Sequence, residues 1–268
     1  MFAPGGVRTR LRNFRLRRLL GGAHVTAVSN HNPNASRTLV EVLRLPSARV
    51  VPWDWERLEL APTRIGGPSS PPLAVFAGQL SEAKGVGDCL EALDRLQAAG
   101  TWLRMLFAGG GDIAPWQARA DALGIGAEVT FAGLLPNDEL RRRMASADVV
   151  VVPSRHAYAE GLPNVIYEAL AARTPLVMSD HPAFRGRLDE GQLALVFRAG
   201  DPADLARALT RLLDDPALWR RLVDGSEAAH AGLHFGIDWA ELIDLFVSDP
   251  TDATGWVARN SLAALERR

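Results

Sequence analysis

The sequence predicts an α/β fold built on a doubly wound parallel sheet, and three features carry that reading. From Leu73 onward, short apolar runs alternate with stretches of helical period. Several runs are apolar throughout, as in Val149-Val150-Val151-Val152, the pattern of strands covered on both faces. The glycine-bearing turns and the carboxylate-bearing loop described below all follow the carboxyl ends of these runs, the side on which open α/β sheets bind ligands.

Taken in chain order, His24–Ser29 and Arg49–Val51 read as short strands with a helix between them. Pro62 to Pro72, which contains Gly66-Gly67-Pro68-Ser69-Ser70-Pro71-Pro72, has the composition of a linker. The strands of the sheet are then expected at Leu73–Ala77, Trp102–Ala108, Glu128–Phe131, Asp148–Val152, Pro175–Ser179 and Leu193–Phe197. Helices are expected between them near Gly85–Ala99, Pro115–Leu123, Pro136–Ala145, Pro163–Ala172 and Pro182–Asp189. Beyond the sheet, helices follow at Asp201–Leu213, Pro216–Ala231 and Asp238–Phe246, with a helical stretch to the C-terminus. Asp201-Pro202 and Asp215-Pro216 each pair an N-cap acid with a proline in the first turn. The expected division is residues 1–72, 73–235 and 236–268.

Composition narrows the classes. The 268 residues are 47% hydrophobic with a formal net charge of −1, an ordinary globular balance that argues against a nucleic-acid partner. No apolar run has the length of a membrane span and no secretory signal is read, so a cytoplasmic setting is expected. Cys89 is the only cysteine and forms no internal disulfide, and no metal-ligand spacing links it to the six histidines. The charge is uneven, however. Arg8, Arg10, Arg12, Arg15, Arg17 and Arg18 alternate with Leu11, Phe14, Leu16, Leu19 and Leu20. This segment reads either as a basic helix on the anionic inner face of a membrane or as a solvated or protein-docking helix face.

The chemistry concentrates in Glu160-Gly161-Leu162-Pro163-Asn164-Val165-Ile166-Tyr167-Glu168, which follows the valine strand and Pro153-Ser154. It sets one carboxylate in a loop and a second about a turn and a half into the next helix. Pro163 to Glu168 spans roughly 7–8 Å at the helical rise. The helix start between them has free amides and a positive dipole end, which suit a phosphate. Two acceptors astride a phosphate site fit the two ends of a sugar nucleotide. The same spacing also fits a solvated helix face. A glycosidase pair is disfavoured, because those carboxylates face each other from separate elements.

Other loops complete the pattern. Gly78-Gln79-Leu80-Ser81-Glu82-Ala83-Lys84-Gly85 joins the first sheet strand to a helix, and a lysine at a helix start reaches phosphate as a point charge. Ala108-Gly109-Gly110-Gly111-Asp112 and Phe131-Ala132-Gly133-Leu134 are further strand-end turns. His156 reads as a solvated loop histidine or a ligand contact.

Together, Gly78 with Lys84-Gly85, the Phe131-Ala132-Gly133 turn, Pro153-Ser154 and Glu160 through Glu168 resemble the C-terminal, donor-binding domain of family 4 retaining glycosyltransferases of the GT-B fold, from about His24 to Gly232. The resemblance implies a Rossmann-like sheet and transfer of a sugar from a nucleotide-diphosphate donor, commonly without an essential metal or cofactor. It implies that Lys84 holds the diphosphate, Glu160 meets sugar hydroxyls, amides near Gly161 and Leu162 support sugar and phosphate, and Glu168 takes the ribose diol. Glu160 and Lys84 are the catalytic candidates. Gly78, Gln79, Gly109 and Gly110 complete the donor-binding set.

The chain departs from the pattern. Gln79 stands where the family usually has Arg, removing a charge-assisted contact worth roughly 1.5–3 kcal/mol. Arg173 stands where Gly is usual, and Trp53-Asp54-Trp55 replaces an Asn-Gly turn. A GT-B enzyme also has an N-terminal, acceptor-binding domain of about 150 residues, whereas about 70 residues precede Leu73 here. Residues 1–72 are therefore expected to be a remnant of that domain plus the linker. The expected alternatives are a truncated enzyme, an enzyme completed by a separate N-terminal chain, or a non-catalytic nucleotide-sugar-binding module.

Overall fold

The computed structural model describes residues 6–267, other than Asn32, Arg185, Arg187, Asp189, Gly191 and Gln192. The first elements are α1 (Val7–Leu20), β1 (Val28–His31), α2 (Pro33–Glu41) and β2 (Val50–Asp54). There follow β3 (Leu73–Ala77), α3 (Val86–Ala98), β4 (Arg104–Ala108), α4 (Ala114–Ala122), β5 (Val129–Gly133), α5 (Asn137–Ser146) and β6 (Val149–Val152). Next come α6 (Asn164–Ala171), β7 (Leu176–Ser179), β8 (Leu195–Phe197), α7 (Pro202–Asp214) and α8 (Pro216–Leu233). The chain closes with β9 (Ile237–Asp238), α9 (Trp239–Ser248), α10 (Trp256–Asn260) and α11 (Leu262–Leu265).

These elements form two compact units. The larger comprises Leu58–Ala159 and Pro163–Leu233. Its six strands are all parallel, in the order β5-β4-β3-β6-β7-β8. Counted from β3, this is the 3-2-1-4-5-6 order of the Rossmann fold, whose order reverses between β3 and β6. The expected α/β class and doubly wound sheet are what the chain adopts. All four valines of β6 are buried, as their uninterrupted run required.

A recurrence in the sequence acquires meaning here. Phe76-Ala77-Gly78, Phe107-Ala108-Gly109 and Phe131-Ala132-Gly133 end three adjacent strands, and the three phenylalanines are in register. Their rings pack in a row, 5.5 Å from Phe76 to Phe107 and 4.9 Å from Phe107 to Phe131. The amide of Gly78 donates to the Ala108 carbonyl at 2.9 Å, and that of Gly109 to the Gly133 carbonyl at 2.7 Å. The ladder thus runs past the strands into the turns that carry the glycines. Trp219 of α8 is fully buried beneath the sheet and donates its indole N–H to the Asp148 carbonyl at 2.9 Å.

The segment with linker composition is built into this unit. The Asp148 carboxylate is buried and accepts from the amides of Ser69 and Leu73, 2.9 and 2.8 Å away, and it lies 3.5 Å from the Arg64 guanidinium. A buried charge needs such partners, so the irregular chain is pinned where composition alone suggests a spacer. Arg173 adopts the left-handed conformation that favours glycine, with φ 54°. Its side chain offsets that strain by donating to the Ala61 carbonyl at 2.9 Å and to Glu227 at 2.7 Å.

The helix expected at Pro182–Asp189 is not found: Pro182, Ala183 and Phe184 form turns, and Arg185, Arg187 and Asp189 lie outside the described residues. His181 takes the local amide instead, its Nδ1 lying 3.1 Å from the Ala183 N–H. Both predicted N-caps are present, Asp201 accepting from Asp204 N at 3.0 Å and Asp215 from Leu218 N at 2.9 Å.

The smaller unit comprises Met1–Arg57, Glu160–Leu162 and His234–Arg268. It holds a parallel three-stranded sheet, β1-β2-β9. The strands expected at His24–Ser29 and Arg49–Val51 fall later, at Val28–His31 and Val50–Asp54. The C-terminal residues are part of this unit, because β9 extends the sheet and α11 buries Leu262 against Leu39, Leu43, Leu45 and Val50. Asp238 caps α9 by accepting from Glu241 N at 2.8 Å. Trp53 packs on His31, Trp55 and Trp239 at 4.9, 5.0 and 4.7 Å. The Trp-Asp-Trp departure is thus an aromatic cluster around the buried Asp54.

Candidate functional site

The order of the large sheet reverses between β3 and β6, and the loops after these two strands meet. Gly85, the residue before α3, has φ 81°. A Cβ there would lie 2.3 Å from the Pro153 carbonyl oxygen and 2.8 Å from the Pro153 Cβ, so only glycine permits this approach. Gly109 is as tightly placed: a Cβ on it would fall 1.8 Å from the Gly78 carbonyl oxygen.

This approach puts Lys84 of the β3 loop beside the β6 loop. The lysine is only 8% exposed. Its Nζ lies 3.4 Å from Ser154 Oγ and 4.9 Å from the centre of the Tyr158 ring. Ser154 is itself buried, and its carbonyl accepts from Ser179 of β7 at 2.7 Å. A cation is therefore held at the carboxyl edge of the central strands, the place in an open α/β sheet where a point charge can meet an anion.

The two loops are locked by an ion pair that sequence reasoning missed. The Arg155 guanidinium grips Asp88 of α3 at 2.6 and 2.9 Å, and Asp88 is 1% exposed. Arg155 also reaches Glu82 at 2.7 Å, and its amide donates to the Ala83 carbonyl at 3.0 Å. Hydrogen bonding to Asp88 holds the guanidinium above its ordinary value, against the opposing effect of burial. Nothing in the local sequence distinguishes Arg155 or Asp88, which lie 67 residues apart and meet only through the strand order. Pro153-Ser154 was the visible signal, since it directly follows the valine run.

The remaining predicted residues are distributed as follows. Gly78, Gly109 and Gly110 line the ends of β3 and β4, the amide of Leu80 donating to the Gly110 carbonyl at 2.7 Å. Gln79 is exposed at the same edge. Pro163 is the N-cap of α6 rather than its first residue, and Glu168 is the fifth residue of that helix. Glu160, Gly161 and Leu162 group with the smaller unit, Glu160 half-buried and Leu162 buried. His156 is exposed and pairs with Asp180 at 2.8 Å, which also accepts from the Ala199 amide at 2.9 Å. Among the described residues, no group of three or more His, Cys, Asp or Glu could hold a metal ion.

Burial pushes the Glu168 carboxyl up, with Arg141 opposing. A raised carboxyl binds its proton more tightly in the folded state. Stability is then lost as pH rises from the ordinary glutamate value through the raised one, and at neutral pH the ionised group is a net cost. Glu168→Gln is expected to raise the thermal midpoint at neutral pH, and to leave it unchanged in acid below the glutamate range. Unfolding scans at the two pH values check this, and an equal gain at both would assign the effect to packing.

Comparison with known proteins decides the family. The profile of the family described as "Glycosyl transferases group 1" matches residues 61–228. The chain belongs to this family. It is 35% identical over 175 residues to the phosphatidyl-myo-inositol mannosyltransferase of Mycobacterium leprae, covering 65% of the chain and 46% of that protein. It is 32% identical over 172 residues to the 2-deoxystreptamine glucosyltransferase of Streptomyces kanamyceticus, covering 63% and 43%. The matches thus span less than half the length of these curated relatives. Among solved structures, Anabaena HepE in complex with UDP superposes with a TM-score of 0.71 at 15% identity, over 91% of the chain and 68% of HepE. The C-terminal domain of LpcC from Francisella tularensis gives 0.53 at 17% identity, over 61% and 86%. At these identities the likeness is one of fold.

Proposed function

We propose that the larger unit binds the nucleotide-diphosphate sugar of a retaining glycosyltransferase, with Lys84 on the diphosphate. The observation that carries this reading is the Lys84 ammonium, buried at the reversal of strand order beside Ser154. Glu168 of α6, in the same unit, holds the ribose diol. Catalysis comes from stabilising charge on the departing diphosphate, with no protein nucleophile and no cofactor. The relatives named for mannosyl and glucosyl transfer, and the HepE complexes with UDP and UDP-glucose, support a hexose donor. The acceptor is bound by an N-terminal domain, in this or a separate polypeptide, and the setting is cytoplasmic.

A second reading, a donor-binding module without transfer activity, is favoured by Gln79, which leaves the diphosphate one cation short of the family pattern. Calorimetry with UDP- and GDP-sugars tests both. Binding of one donor is expected, weakened by Lys84→Ala for the nucleotide sugar and for the free nucleoside diphosphate alike. Absence of any nucleotide binding would overturn the assignment. Turnover in a transferase assay decides for the first reading, and binding without turnover for the second.

A further inference from the structure

Helix α1 is apolar on two opposite sides, and the two sides have different surroundings. At about 100° per residue, Val7, Leu11 and Phe14 fall within an arc of roughly 60°, and Leu16 and Leu20 lie on the far side of the helix. Leu16 and Leu20 pack against the core of the smaller unit, beside Leu39, Leu43 and Val50. Val7, Leu11 and Phe14 are instead 83%, 51% and 62% exposed. Arginines flank this outer stripe on both sides, Arg8 and Arg15 on one and Arg10 and Arg17 on the other, with Arg18 closing its C-terminal end.

The helix contains no acidic residue, and among the described residues none of its arginines joins an ion pair. Next to it opens a cavity of about 440 Å³ lined by Phe14, Arg17, Arg18, Arg44, Leu45 and Pro46. Three arginines therefore line one hollow beside Phe14, Leu45 and Pro46. Arg44 stands there in the left-handed conformation, with φ 57°, where the chain leaves α2 and the Leu45 amide donates back to the Leu39 carbonyl at 3.3 Å.

We propose that this face docks on an anionic phospholipid surface. The cavity takes a lipid phosphate between Arg17, Arg18 and Arg44. The Val7, Leu11 and Phe14 stripe enters the boundary of headgroups and acyl chains, and the flanking arginines remain at headgroup level. Guanidinium suits the task, because its planar fork matches phosphate oxygens two at a time. The inference rests on the smaller unit alone and stands apart from the donor site.

The test is co-sedimentation of the full chain with vesicles of phosphatidylcholine, with and without a quarter of phosphatidylglycerol. Binding is expected only to the anionic vesicles, falling as salt is raised. Replacing Arg17, Arg18 and Arg44 with Gln is expected to weaken it by about a hundredfold, at the usual contribution of a basic residue near an anionic surface. Leu11→Glu with Phe14→Glu is expected to abolish it, while circular dichroism and thermal unfolding remain those of the parent. Equal binding to neutral vesicles, or binding indifferent to the arginine changes, would overturn the proposal. So would a stripe variant that dissociates an oligomer of a chain that never sedimented with lipid, because the stripe would then be a protein interface.

Discussion

Gly85→Ala is expected to destabilise the larger unit by about 3 kcal/mol, combining the ~1–2 kcal/mol of a left-handed alanine with the cost of overpacking. The added methyl would sit 2.3 Å from the Pro153 carbonyl oxygen, which is backbone and has no rotamer by which to retreat. Either the β3 loop or the end of β6 must move, and with it the placement of Lys84 against Ser154. The thermal midpoint should fall by roughly 6–12 °C for a unit of this size, and donor binding should go with it. Gly110→Ala is the matched control. The nearest atom to its Cβ is a Leu134 methyl at 3.7 Å, an ordinary contact, so its stability should change by less than about 0.5 kcal/mol. A Gly85→Ala protein that melts with the parent and binds donor normally would show that the two loops need not touch.

Lys84→Met is expected to act with opposite signs on binding and folding. The thioether keeps the stem that packs at Tyr158 and removes the ammonium, which is buried and therefore costly to desolvate. The thermal midpoint should hold or rise slightly. Donor affinity should fall by about tenfold to a hundredfold, the usual worth of a hydrogen bond to a charged group. Calorimetry with the nucleotide sugar and a melting scan on the same sample read both effects. Unchanged affinity would remove Lys84 from the site, and a fall in both quantities would make it structural.

Much of the larger unit was legible in advance because its strands are covered on both faces. Burial of that kind demands uninterrupted apolar runs such as Val149 to Val152, and these survive translation into a one-dimensional string. Strand ends near the small unit were less legible. His24–Ser29 has a strand-like composition, yet pairing begins at Val28, because the register of β1 on β2 is set by the partner strand and not by propensity. Pro182 offers helix-start chemistry, but His181 captures the Ala183 amide and Pro182, Ala183 and Phe184 form turns instead. The linker looked free because Gly, Pro and Ser carry no sign of the buried Asp148 to which Ser69 and Leu73 donate.

The candidate site divides along the same line. The sequence by itself determined the chemistry: a lysine and glycine after one strand, a Pro-Ser and two glutamates after another, and glycines at three strand ends. Those identities follow from local requirements such as positive φ, a cation at a loop-to-helix junction and a helix start, and each is written within a few residues. Only the tertiary structure decided which of these meet. Parallel order places β3 beside β6, pairing Ala74 with Val149 although 75 residues of chain separate them, and that adjacency brings Lys84 to Ser154 and Arg155 to Asp88. It also decided that α1 spends one apolar side on the core and leaves the other outside. Neighbours across a sheet or helix face are fixed by the closing of long loops, an outcome of the whole chain's packing that no short segment encodes.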